Sequence, residues 1–183
     1  MLRLAIAIQK AAAGNAVLIV NERVDVALAA GADGVQLAED ALPIAQVRRL
    51  VGPQALIGRS VHSVEGAGVA VAEGADFLVA GTIYATRSHP KANPVGPKLI
   101  RSITQQQAGA SKPLPVIGIG GITVDNLDEV IRAGASGVAV ITSILASLDP
   151  KGEARKLKNA MLDVWQDRPS LVAENSGPRN PGC

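Results

Sequence analysis

Rings are almost missing from this sequence: one Phe, one Tyr and one Trp in 183 residues, or 2% aromatic. A core without rings has to be filled by Val, Ile, Leu and Ala. Such residues suit a parallel sheet covered by Ala-rich helices, whose strands read as unbroken aliphatic runs. The same scarcity removes the stacking platforms of single-strand nucleic-acid binders, and a net charge of only +2 leaves no basic footprint for a duplex. Cysteine is down to Cys183 at the last position, which excludes a disulfide framework and a CxxC metal site. Apolar runs are short as well: Asp, Glu or Arg interrupts each one before the ~18 residues of a membrane span. The start, Met1 to Lys10, lacks the apolar segment and small-residue cleavage site of a secretion signal. The expectation is a cytoplasmic protein with neither membrane nor nucleic acid as a partner. At about 150 residues per domain, the length suits one domain with its own core, plus a tail.

What is present is alternation. Residues 2–13 predict a helix stopped by Gly14-Asn15, and Ala16-Val17-Leu18-Ile19-Val20 predicts a buried strand. Helices are then expected over 24–30, 43–51, 64–73, 98–107, 126–133 and 152–165. Strands are expected over 34–37, 55–61, 76–82, 114–119 and 137–141. Pro43 suits a first helical position, where its missing N–H costs nothing. Three turns share one phrase: Ala30-Gly31-Ala32-Asp33-Gly34-Val35, Glu73-Gly74-Ala75-Asp76-Phe77-Leu78 and Ala133-Gly134-Ala135-Ser136-Gly137-Val138. Each reads as a glycine that ends a helix and leads straight into a strand.

Six strand–helix units follow one another from Val17 to Trp165, at roughly 25 residues each. This pattern implies parallel strands with right-handed crossovers. A doubly wound sheet and a (β/α)₈ TIM barrel both satisfy it. No G-x-G-x-x-G follows the first strand, which counts against a dinucleotide fold. Gly120-Gly121 after one late strand and Ile141-Thr142-Ser143 after the next suit the phosphate site that barrels build after strands seven and eight. Six units are too few to close such a barrel, which typically needs about 200 residues or more. Residues 1–166 are therefore expected to be an α/β barrel domain lacking its first two β/α units. Residues 167–183, rich in Pro, Gly and Asn, are expected to be a disordered tail.

Chemistry-bearing residues recur at strand ends. The glycines of Gly118-Ile119-Gly120-Gly121-Ile122-Thr123 let backbone N–H groups approach an anion, or serve only the dihedrals of a tight turn. Ile141 and Thr142 offer a second such edge. Asn21 can bond a heterocycle edge. Glu22 and Asp40, one carboxylate from each of two neighbouring loops, match the way Mg²⁺ is held when diphosphate oxygens complete its shell. Each has a plainer reading as a solvated residue at a helix start. By strand alternation Ser60 and His62 point one way, Arg59 and Val61 the other. The loop Gly81 to Lys91 holds the only tyrosine, Tyr84; its Thr86 and Ser88, with nearby Arg87, His89 and Lys91, suit an anionic leaving group, or simply form a surface loop.

Taken in order, Asn21-Glu22-Arg23-Val24-Asp25, Gly31-Ala32-Asp33-Gly34-Val35-Gln36-Leu37, Gly58-Arg59-Ser60-Val61-His62-Ser63, Gly81-Thr82-Ile83-Tyr84-Ala85-Thr86, Gly118-Ile119-Gly120-Gly121-Ile122 and Gly137-Val138-Ala139-Val140-Ile141-Thr142 resemble the thiamine phosphate synthase family, which includes a thiazole tautomerase branch. The resemblance covers about residues 2–165. It implies a (β/α)₈ barrel that joins hydroxymethylpyrimidine diphosphate to a thiazole phosphate, releasing pyrophosphate with Mg²⁺ as cofactor. It implies pyrimidine diphosphate contacts at Asn21 and Ser60 and metal contacts at Glu22, where the family usually has Asp, and at Asp40. Thr86 and Ser88 match a hydroxyl pair, and His89 replaces a diphosphate-binding lysine. Gly120, Gly121, Ile141 and Thr142 match the thiazole phosphate end. Ser60, His62 and His89 are the candidates nearest the chemistry. The tautomerase branch's acid–base His falls at Thr82 here, and the family's basic strand-two stretch has no counterpart. Three functions stay open: a transferase of the synthase type, an isomerase of a thiazole phosphate, and a barrel that binds a phosphorylated ligand without turnover. Self-association into a homo-oligomer stays open too.

Overall fold

A computed structural model describes residues 1–88 and 90–167. The strands are β1 (Ile19–Asn21), β2 (Gly34–Leu37), β3 (Leu56–Val61), β4 (Phe77–Ala80), β5 (Val116–Ile119) and β6 (Gly137–Ala139). The helices are α1 (Leu2–Ala12), α2 (Val24–Ala30), α3 (Ile44–Val51), α4 (Val64–Ala72), α5 (Lys98–Gln106), α6 (Leu127–Arg132), α7 (Thr142–Leu145) and α8 (Pro150–Gln166). All six strands form one parallel sheet in the order β1-β2-β3-β4-β5-β6. The order never reverses, so there is no switch point and the doubly wound alternative falls away. Right-handed crossovers that always step the same way put the connecting helices on one face of the sheet. The architecture is a six-stranded parallel half-barrel, with β1 and β6 each paired on one side only.

The helix-facing side of the sheet is the core. Val35 and Leu37 on β2, Ile57 and Val61 on β3 and Leu78 and Ala80 on β4 are buried there with Ile100, Ile103, Leu127, Val130 and Ile131 from the helices. Aliphatic packing of this kind needs the strands close together. Gly34 shows how close: a Cβ there would lie 2.1 Å from the carbonyl oxygen of Leu56 on the neighbouring strand. The three repeated turns behave as read. Gly31, Gly74 and Gly134 take φ of 63°, 89° and 118°, the left-handed region that ends a helix at little cost to glycine.

Most differences from the expected elements lie at their ends. β1 begins at Ile19, because its pairing starts opposite Gly34; Leu18 is tied to Asp33 through both its N–H and its carbonyl. Pro43 is the N-cap of α3, one place before the first helical position. α8 begins at Pro150, two residues earlier than expected, because Asp149 accepts a hydrogen bond from the Gly152 N–H. The turn of helix α7 was absent from the expected elements and cuts the last strand short at Ala139. Residues 168–183 of the expected tail lie outside the described residues.

If the Gly34 contact sets the β2–β3 spacing, Gly34→Ala should destabilise the fold by about 1–3 kcal/mol through overpacking. Urea unfolding measures this, and a loss under about 0.5 kcal/mol would show that the spacing is set elsewhere.

Candidate functional site

Parallel strands in unbroken order deliver all their C-terminal ends to one rim, and the rim surrounds a cavity of about 1000 Å³. Asn21, Glu22, Asp40, Ser60, His62, Thr86, Ser88, Gly120, Gly121, Ile141 and Thr142 all line it. The candidates named for substrate, metal and catalysis are therefore in one place, except His89, which lies outside the described residues; Tyr84, Arg87 and Lys91 of the same loop are not among the lining residues.

The first wall belongs to β1–β3. Asn21, Gln36 and Gly58 sit abreast in the sheet register. Gly58 leaves room for its neighbours, since a Cβ there would meet the Gln36 amide oxygen at 2.1 Å and the Phe77 ring at 2.3 Å. Gln36 Nε2 donates to Ser60 Oγ at 2.9 Å and to the Leu37 carbonyl at 3.2 Å. The Ser60 hydroxyl, already an acceptor, can therefore donate its own proton toward the cavity. Alternation holds on β3 as expected: Ser60 and His62 line the cavity, and Arg59 is buried on the other side.

Glu22 stands at the end of β1 with φ 57°, one of two non-glycine residues at positive φ among the described residues. The Arg23 N–H donates to the Asn21 carbonyl at 2.7 Å and the Val24 N–H to the Glu22 carbonyl at 3.1 Å. Two consecutive γ-turns result, the first of the rare positive-φ kind. Strained backbone of this sort gathers at functional sites, and here it carries a cavity carboxylate. Asp25 lies in the first turn of α2 and accepts from Nε and Nη2 of Arg23, which hold its carboxyl down at about 2. Glu39, which the sequence did not single out, accepts the His62 N–H at 3.2 Å and faces His62 Nδ1 at 2.7 Å. That pair ties the β2 loop to the β3 loop.

The opposite wall is main chain. Gly120 and Gly121 have φ of 102° and 63°. A Cβ on Gly121 would lie 2.4 Å from the Ala85 carbonyl, so glycine serves a close approach as well as a dihedral. Asn126 locks the loop by accepting from the Thr123 N–H at 2.9 Å and donating to the Gly121 carbonyl at 3.1 Å. Ser143 joins the next loop to it through the Ile122 carbonyl at 2.6 Å. Among the described residues no hydrogen bond uses the amide N–H of Gly121 or of Thr142, and both residues line the cavity. Anions suit such amides. Gln36, Glu39 and Asn126 escaped notice in the sequence. For Gln36 a signal existed: it is the polar residue inside an aliphatic strand, as Ser60 is in the next.

Behind the glycines, the Tyr84 hydroxyl donates to Glu129 at 2.9 Å. Burial first, and the Glu129 carboxylate second, push its pKa from 10.0 up to about 12. Between those values the unfolded chain has lost its phenolic proton and the folded one keeps it. Tyr84 therefore contributes stability below pH 10 that is lost as pH rises toward 12. Ultraviolet titration of the single tyrosine should show the raised value in the native protein, and Glu129→Gln should bring it down; a midpoint near 10 in the unaltered protein would refute the contact.

Comparison with known proteins agrees with this geometry. The family model described as "Thiamine monophosphate synthase" matches residues 1–144. A thiamine-phosphate synthase of Anaeromyxobacter dehalogenans is 44% identical over 149 residues, which is 81% of this chain and 65% of that protein. One from Roseiflexus castenholzii is 46% identical over 140 residues, 76% of this chain and 60% of the relative. The chain thus spans a little under two thirds of the length of these two relatives. A thiamine phosphate pyrophosphorylase from Pyrococcus furiosus superposes with a TM-score of 0.79 at 34% identity, covering 89% of this chain and 76% of that one. With residues 1–144 matched by the family model and 89% of its length covered by the Pyrococcus furiosus structure, the chain belongs to the thiamine monophosphate synthase family.

Proposed function

We propose that this chain is a transferase of the thiamine phosphate synthase type, joining hydroxymethylpyrimidine diphosphate to a thiazole phosphate and releasing pyrophosphate. The observation that carries the reading is the single cavity where the pyrimidine, hydroxyl, carboxylate and phosphate candidates meet. On this reading the six strands are the last six of an eight-stranded barrel, and the rim loops after β5 and β6 are its phosphate loops.

Residue by residue, Asn21 and Ser60 orient the aminopyrimidine against the β1–β3 wall. The amides of Gly121 and Thr142 take the thiazole phosphate on the other side. Glu22 and Asp40 fit a hard divalent ion, being two carboxylates from adjacent loops that line one cavity, where phosphate oxygens could complete a shell. No group of three His, Cys, Asp or Glu able to hold a metal occurs among the described residues, so the substrate's oxygens would complete the shell. Bound there, Mg²⁺ would neutralise charge on the departing pyrophosphate. The bond from the pyrimidine methylene carbon to oxygen breaks, and its electron pair leaves with pyrophosphate. The thiazole nitrogen then gives its lone pair to that carbon. Thr86 and Ser88 supply hydroxyl donors to the leaving oxygens. No proton has to move in either step, so the protein's work is positioning and charge stabilisation.

The Glu39–His62 pair favours a second reading, an isomerase, because a carboxylate holds an imidazole at the cavity wall. The two readings separate on one assay. Given both substrates and Mg²⁺, the protein should release pyrophosphate, and Asp40→Asn should lower kcat/KM by about 100-fold or more. No pyrophosphate at all would sink the transferase reading and leave isomerisation or binding alone. Independently, Gly121→Val should abolish binding of a thiazole phosphate in calorimetry; retained affinity would place the phosphate elsewhere.

A further inference from the structure

Arg59 is the only buried charged residue among those described, 4% exposed on the helix side of β3. Its guanidinium meets one carboxylate, that of Glu73, and spends its other bonds on main-chain carbonyls. Nη1 donates to the Ala38 carbonyl at 2.7 Å and reaches those of Glu39 and Ala41 at 3.5 Å. Nη2 donates to the Leu42 carbonyl at 2.9 Å and to Glu73 at 3.2 Å. The same Glu73 oxygen accepts the Ile44 N–H at 3.4 Å, where α3 begins. One side chain thus gathers four of the six carbonyls of the loop between β2 and α3. Within residues 38–42 the carbonyl that Arg59 does not hold is that of Asp40, and Asp40 lines the cavity.

A buried cation is a poor way to stabilise a fold, since an apolar side chain of similar volume commonly does as well or better. What arginine supplies and an apolar residue cannot is a rigid, planar fork of donors. The loop it organises has no regular structure of its own and carries the rim's Glu39 and Asp40. We infer that Arg59 is a positioning residue: it fixes the 38–42 backbone from behind the sheet and so places the Asp40 carboxylate for a divalent cation. The inference rests on the proposed metal role of Asp40. Arg59 itself touches neither cation nor substrate.

The test uses Mn²⁺ with inorganic pyrophosphate as the probe, titrated by electron paramagnetic resonance into the full chain. Arg59→Met leaves Glu73 unpaired, so Arg59→Met/Glu73→Gln is made beside it, removing both charges. Arg59→Lys keeps the charge and loses the fork, and carries the same comparison should the neutral variants fail to fold. Folded variants should bind Mn²⁺ about tenfold or more weakly, approaching Asp40→Asn. Amide exchange in residues 38–42 should speed up while the β3 core keeps its protection. Unchanged exchange in that loop, or Mn²⁺ affinity within about twofold of the unaltered protein while Asp40→Asn loses it, overturns the role of Arg59. Equal Mn²⁺ affinity in the unaltered protein and Asp40→Asn instead overturns the metal reading beneath it.

Discussion

Everything at the rim depends on the strands being parallel and stepping always in one direction. Because β1 to β6 pair strictly with their chain neighbours, each strand's far end lies beside the next one's. Residues more than a hundred positions apart in the chain, Glu22 and Thr142 among them, are thereby brought around one cavity. The tight spacing that makes this possible is bought with glycine. Gly34 and Gly58 sit where a methyl group would collide with the next strand's backbone or side chains.

The rim loops are then bonded laterally into a collar. Gln36 reaches Ser60, Glu39 reaches His62, and Ser143 reaches Ile122, each crossing from one β/α unit to its neighbour. Arg59 does the same from the opposite face, joining the loop after β2 to the end of α4. Preorganisation of this kind suits chemistry that needs charges held in place more than protons moved. It also divides the cavity: side-chain oxygens and carboxylates on the β1–β3 wall, main-chain amides on the β5–β6 wall.

Local signals made much of this readable from the chain. Aliphatic runs alternating with Ala-rich periodic stretches gave six units in the right places, and the helix-ending glycines marked their joints. α2 and β2 have the expected bounds, because a glycine with positive φ closes one and the next strand follows at once. Strand ends were harder. Whether Ile141 continues a strand depends on whether a partner runs beside it, and that is a long-range fact. The site was readable where a polar residue interrupts an aliphatic strand, as at Ser60, or where glycines cluster, as at Gly120. Partners that act through a second residue were not. Arg59 could be assigned to the helix side by alternation, yet nothing local says that it would collect four carbonyls from another unit. Nothing local marks Glu39 either; only the fold brings His62 beside it.

The scarcity of rings has a practical side. Tyr84 rests against the turn at Gly121, and the single tryptophan, Trp165, is half exposed on α8. No other tyrosine or tryptophan competes with them. The protein thus carries a built-in optical gauge: its tyrosine spectrum reports on the amide-lined turn, while tryptophan emission reports on the closing helix.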